Sequence, residues 1–248
     1  MDAAQRIRAS MSVVATLRSD RNTDRALDDA VLAVKRFQAS RFEGTYADLL
    51  AGPPYQDAAR FFLEELYGDK DFADRDAQFA RIAGTMQKLF PEQVVATALA
   101  LAELHALTEQ LDHAMGQAWL APDVADASSG ARRYVLAWRL VDQRPMRESQ
   151  LNVVLGIGRD LARLTRAPGL RLLLKMMRGP ASAAGMGSLQ RFLEAGFDTF
   201  GAMSRHRSGA EGFLNIIEGR ESRLIAQWFD ASLVACETEL AQTLGQAR

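Results

Sequence analysis

The chain has 248 residues with 30 basic and 31 acidic side chains, a formal net charge of -1, 48% hydrophobic and 25% charged residues. That is the ordinary globular balance, which excludes a disordered, collagen-like or polyelectrolyte chain. One cysteine, Cys236, excludes an internal disulfide, residues 1–21 hold no apolar leader, and the longest apolar run, 94–102, is far short of the roughly 20 residues that span a bilayer. A cytoplasmic protein with no membrane span is expected. Counts of 41 Ala and 31 Leu against 18 Val plus Ile favour residues that lose little rotamer freedom in helices, so the fold class is all-α.

Amphipathic spacing predicts helices over 4–18 and about 24–40, the second carried by Leu27, Val31, Val34 and Phe37. Gly44, Gly52, Pro53 and Pro54 mark a connector with one helical turn at 46–50. A helix from Gln56 turns Ala58, Phe61, Phe62, Leu66 and Tyr67 toward a core and stops at Gly68. Asp71 is positioned to cap the next helix, which ends near Phe90. After Pro91 the pattern runs unbroken to Leu120, about 45 Å at 1.5 Å per residue, and this is expected to be the central helix. The stretch 121–130 reads as the longest loop. Further helices are predicted over 131–142, 147–164, 170–178, 189–204 and 210–244, the last packed along the central helix. The expectation is a single domain over 1–248 of about ten helices, with 121–130 as its candidate internal boundary.

Charge is divided unevenly. Residues 1–124 hold 13 basic and 19 acidic side chains, residues 125–248 hold 17 and 12, and the stretch 132–178 alone carries a net +8. Within it Arg159, Arg163 and Arg166 form one stripe at i, i+4, i+7, and Arg171, Lys175 and Arg178 a second. Leu151, Leu155, Leu161 and Leu164, then Leu170, Leu173, Leu174 and Met177, supply the opposite faces. Such stripes are either solvated faces or an anion-binding surface. Nucleic acid is disfavoured, because no aromatics are interleaved with the arginines for stacking on bases.

No phosphate loop, zinc spacing, nucleophile elbow or kinase signature is present, so the chain carries no catalytic motif. The runs Phe61-Phe62-Leu63-Glu64-Glu65-Leu66-Tyr67-Gly68, Asp71-Phe72, Arg75-Asp76 and Glu103-Leu104-His105-Ala106-Leu107-Thr108-Glu109 with Leu111-Asp112 resemble a family of uncharacterised bacterial helical proteins. The later pieces Met177-Arg178-Gly179-Pro180-Ala181, Leu189-Gln190-Arg191-Phe192-Leu193-Glu194, Phe213-Leu214 and Arg220-Glu221 extend the likeness. It implies a single helical unit of about this length, a domain of unknown function that transfers no catalytic residue onto this chain. Locally, 101–112 also looks like the proximal-histidine helix of globins with His105 at the ligating position, although the surrounding helices do not follow the globin order.

His105, Glu109, Asp112 and His113 fall within about a 100° arc of the central helix and so form the candidate metal or haem site. The competing reading is a buried polar cluster satisfied by neighbouring helices. A ferritin-like dimetal centre needs Glu-x-x-His on two helices, and no such pair occurs. The acidic run at Asp69, Asp71, Asp74 and Asp76 lacks the glycine and distal Glu of a calcium loop and is read as helix capping. Gly156-Ile-Gly158 lacks a third glycine, the loop 179–187 is read as a connector, and Cys236 as a buried hydrophobe. The leading functional expectation is a non-catalytic protein that binds a protein or anionic ligand through Arg159, Arg163, Arg166, Arg171, Lys175 and Arg178. The alternative is a haem, metal or small-molecule binding protein, even an oxidoreductase, centred on His105. No cofactor is expected under the leading reading, and the oligomeric state is left open.

Overall fold

A computed structural model describes residues 1–66, 72–204, 206 and 209–247. Among them there are fourteen helices and no strand, so the all-α expectation holds. Asp24 ends α1 (Ala3–Thr23) and starts α2 (Arg25–Thr45), its carboxylate accepting from the Leu27 amide at 3.1 Å. A single turn, α3 (Ala47–Leu50), leads to α4 (Gln56–Glu65). The expected stop at Gly68, the Asp71 cap and the burial of Tyr67 lie outside the described residues. Beyond them α5 (Ala73–Leu89) ends where Phe90 turns extended ahead of Pro91, and α6 (Glu92–Leu120) follows as the longest helix, 29 residues.

The stretch 121–130 is not irregular throughout: α7 (Pro122–Ala125) occupies part of it, and Ser129 caps α8 (Gly130–Val141) by accepting from the Arg132 amide. Asp142 sits in the left-handed region (φ 46) and turns the chain into α9 (Arg144–Leu164). Gly169 (φ 78), where any side chain would be strained, turns it again into α10 (Leu170–Met176). Then come α11 (Arg178–Ala183), α12 (Gly187–Met203), α13 (Gly209–Asp230) and α14 (Leu233–Leu244). Two sequence expectations are corrected here. Residues 179–183, read as loop, are helical in α11, because proline is tolerated in a first turn. The single helix expected over 210–244 is two: Arg139 donates to the carbonyl oxygens of Trp228 and Ala231, satisfying the end of α13, and Ser232 caps α14 by accepting from the Ala235 amide.

The chain forms two compact units, each assembled from three separated stretches. The first comprises Met1–Thr16, Lys70–Ala106 and Val153–Leu214; the second comprises Leu17–Asp69, Leu107–Asn152 and Asn215–Arg248. The stretch 121–130 lies wholly inside the second unit, and the division passes instead within α1, α6, α9 and α13.

In the first unit Ile7, Met11 and Val14 of α1 pack with Phe79, Ala83 and Met86 of α5, Val95, Ala102 and Ala106 of α6, and Leu189 of α12. Full burial of each larger side chain stabilises by about 1.5–3 kcal/mol. The second unit is held by an aromatic core. Phe37 stacks on Tyr134 with centroids 4.7 Å apart, while Trp228 meets Tyr134 and Trp138 edge-on at 5.4 and 4.8 Å. Each such pair contributes about 0.5–1.5 kcal/mol beyond the area it buries. Backbones approach closely at Gly44, where a Cβ would lie 1.9 Å from the Thr243 carbonyl oxygen, and at Gly116, where it would lie 2.4 Å from Val31 Cγ2.

Candidate functional site

The four residues of the arc on α6 do not converge on one point: His105, the Glu109–Asp112 pair and His113 meet different side chains. In the first unit His105 Nε2 lies 3.1 Å from Asp76 Oδ2 of α5, with the two side chains 19% and 8% exposed. Around that pair the start of α5 meets the start of α12. Gln78 donates to Asp74 and accepts from the Leu189 amide, and Ser188 approaches Asp74 at 3.3 Å. Arg75 stands over the rings of Phe72 at 3.9 Å and Phe192 at 4.5 Å. Asp74 and Asp76, the described members of the acidic run, are thus engaged with side chains of α5, α6 and α12.

In the second unit Glu109 and Asp112 are almost fully buried. Glu109 accepts from Arg21 Nη2 at 3.0 Å and from the Lys35 ammonium. Asp112 accepts from Gln38 Nε2 at 3.0 Å and lies 3.9 Å from Lys35. Burial holds the Asp112 carboxyl above its ordinary value despite the pull of Lys35, and it does the same to the Tyr134 hydroxyl. His113 Nε2 lies 3.2 Å from the Gln117 amide nitrogen, while its buried Nδ1 makes no hydrogen bond. A second buried cluster joins Glu221 to Arg41 at 2.6 Å and to the Tyr46 hydroxyl at 2.8 Å. Among the described residues no three of His, Cys, Asp and Glu are grouped to hold a metal ion. The arrangement at Glu109 and Asp112 is that of charges neutralised by charge.

All six residues of the basic stripes lie in the first unit, and their side chains are exposed. Four have an acidic partner within the chain: Arg159 with Glu211 at 3.5 Å, Arg163 with Asp160, Arg171 with Asp198 at 2.8 Å, and Arg178 with Glu194 through Nε at 2.6 Å. Arg178 holds the Glu194 carboxyl below its ordinary range. Exposed pairs of this kind contribute about 0–1 kcal/mol and exchange readily with other anions. Among the described residues Arg166 and Lys175 make no such pair. The stripes are therefore partly spent on the chain's own acids, which the periodicity alone did not reveal.

The apolar side of the second stripe is only partly covered. Spacing put Leu170, Leu173, Leu174 and Met177 on the face opposite the second basic stripe, and there Leu170, Leu174 and Met177 are half-buried, although α10 fully buries none of its residues. Leu172 is 63% exposed, Leu173 37% and Met176 66%. Offsets of three and four place these three side chains on one side of the helix. The signal available in the sequence was Gly169 and Pro180 bracketing a helix too short to bury a full face.

A match to the family described as Domain of unknown function (DUF8198) covers residues 17–233. The chain belongs to that family. Neither the curated proteins nor the solved structures provide a match. In this DUF8198 member the residues that carry the resemblance make contacts inside each unit. Asp76 meets His105, Arg178 meets Glu194, and Gln190 donates to the Leu174 carbonyl oxygen. Arg220 donates two bonds of 2.7 Å to the Asp48 carboxylate and a third to the Thr45 carbonyl oxygen, while Glu221 takes Arg41 and Tyr46. These motifs act as clamps between helices distant in sequence.

Proposed function

We propose that this chain is a non-catalytic helical protein that binds a protein or anionic ligand through the basic faces of residues 159–178. One observation carries the reading. From Leu161 to Leu193 there is no acidic residue and there are six basic ones, and within that stretch Arg166 and Lys175 are exposed and, among the described residues, without an ion pair. Such a surface draws anions over distances up to the Debye length and loses them as salt rises. The same reading places the protein in the cytoplasm, supported by its one buried cysteine. Among the described residues no helix is long and apolar enough to cross a membrane.

Fluorescence anisotropy with labelled polyglutamate and with inorganic polyphosphate, at 50 and 300 mM salt, tests it. Saturable binding at low salt that disappears in Arg166→Glu/Lys175→Glu is the expected result. Absence of binding to either probe, or equal binding by the variant, overturns the reading.

A second reading, a haem- or metal-binding protein centred on His105, draws on the Asp76 contact, because a carboxylate that orients one ring nitrogen directs the other toward a ligand. A Soret band or near-stoichiometric metal in protein purified without nickel, abolished by His105→Ala, would favour it over the first.

A further inference from the structure

The anion-binding reading leaves the apolar part of α10 without a purpose. Seven residues long, the helix turns Leu172, Leu173 and Met176 to solvent. Together they expose on the order of 300 Å², the size of the largest apolar patch on a typical monomer and a size that often marks a binding site. Arg171 and Arg178 are engaged with Asp198 and Glu194, while Lys175, one residue from Met176, makes no ion pair among the described residues and acts on Glu194 only at longer range. Arg166, four residues before the helix begins, is a second exposed cation without an ion pair among the described residues. An apolar centre with a cationic rim is the anatomy of a protein-docking surface.

Resting on the anion-binding reading, we propose that the Leu172–Leu173–Met176 face of α10 docks an acidic amphipathic helix of a partner protein, with Lys175 and Arg166 facing its carboxylates. Three features select that occupant. The patch follows the i, i+1, i+4 register of one helix face, which interdigitates with the apolar stripe of another helix. Lys175 and the absence of any acid from 161–193 favour a negative partner, the acids that do reach this part of the chain, Asp198 and Glu194, being taken by Arg171 and Arg178. A second copy of the chain related by two-fold symmetry would set Lys175 and Arg166 against their own equivalents, and repulsion opposes that arrangement. A lipid surface is a poorer fit, because two turns without Trp or Phe supply little apolar area to the headgroup boundary.

The test uses the full chain and three fluorescein-labelled peptides of equal length. One is helical with Leu at i, i+3, i+4 and i+7 and Glu elsewhere, the second replaces Glu by Lys, and the third keeps the Leu and Glu content of the first in an order without amphipathic period. The first peptide is expected to bind and the other two to bind at least about tenfold more weakly, as loss of the carboxylates in the second and of the apolar stripe in the third predicts. Leu172→Asp/Met176→Asp is expected to abolish binding, and Lys175→Glu to shift preference toward the Lys peptide. Both variants alter exposed side chains, and unchanged circular dichroism and melting temperature establish that each is folded. Equal binding of the first and third peptides overturns the docking proposal while leaving the anion-binding reading intact. Binding to phosphatidylglycerol vesicles in preference to the first peptide overturns it in favour of a membrane, and self-association lost in Leu172→Asp/Met176→Asp overturns it in favour of a second copy. Failure of polyglutamate, polyphosphate and all three peptides overturns both.

Discussion

Replacing Glu109 by Leu removes the shared acceptor of Arg21 and Lys35 without opening a cavity large enough to confuse the result. The Arg21 and Glu109 side chains are 7% and 5% exposed, and Lys35 is 21% exposed. With Glu109 gone, Arg21 keeps among the described residues only Asp28 as an acidic partner, at 3.9 Å and 55% exposed, and its Nη1 is already buried without a hydrogen bond. A buried cation stripped of its counter-charge costs about 3–5 kcal/mol. For a chain of this length each kcal/mol lowers Tm by about 2–4 °C, so a loss of about 6–20 °C is expected. Because the pair is shielded from solvent, the loss is expected to be nearly the same at 50 mM and 1 M NaCl. The comparison is Arg6→Ala, which breaks a pair with Glu103 whose side chains are 46% and 43% exposed, for an expected loss of at most about 1 kcal/mol that salt erases. The double change Arg21→Met/Glu109→Leu is expected to recover most of the stability lost in the single variant, since the buried cation leaves with its counter-charge and Lys35 stays beside Asp112. Urea melts at the two salt concentrations read all three. A Glu109→Leu loss below about 1 kcal/mol, or one that vanishes in high salt, refutes the view that charge neutralisation organises this part of α6.

Gly44→Ala is expected to destabilise by about 1–3 kcal/mol in a urea melt, because the new Cβ would sit 1.9 Å from a backbone oxygen that cannot swing away as a side chain does. The pH dependence of Asp112→Asn is expected to differ from wild type with a defined sign. Burial raises the Asp112 carboxyl in the folded state, so its contribution is fully present below the unfolded value of about 3.9 and is lost as pH rises through the folded value. Wild type therefore gains stability on acidification relative to Asp112→Asn, and parallel curves would disprove it. Asp48 behaves oppositely: the Arg220 hydrogen bond lowers its carboxyl, so its stability is present above the unfolded value and lost as pH falls through the folded one. Asp48→Asn is expected to flatten that acid limb by no more than about 1 kcal/mol, given its exposure, in melts between pH 2 and 6.

Helicity was legible because it rests on local quantities. Ala and Leu content, the recurrence at Leu27, Val31 and Val34, and the long stripe after Pro91 all act within a few turns, and α2 and α6 appear where those patterns place them. Element ends were less legible. The break between α13 and α14 depends on Arg139, some 90 residues away, supplying donors to the carbonyls of Trp228 and Ala231. The site was legible only as a set of candidates. Spacing correctly placed Glu109 and Asp112 on a face continuous with the core, but helical geometry says nothing of what stands opposite. Whether those carboxylates meet metal or Arg21, Lys35 and Gln38, and whether Arg171 and Arg178 meet solvent or Asp198 and Glu194, is decided by residues far along the chain. The same holds for Leu172, Leu173 and Met176, whose apolar character is written in the sequence and whose exposure is not. Periodicity measures which side chains share a face; only the packing of separated stretches settles what that face touches.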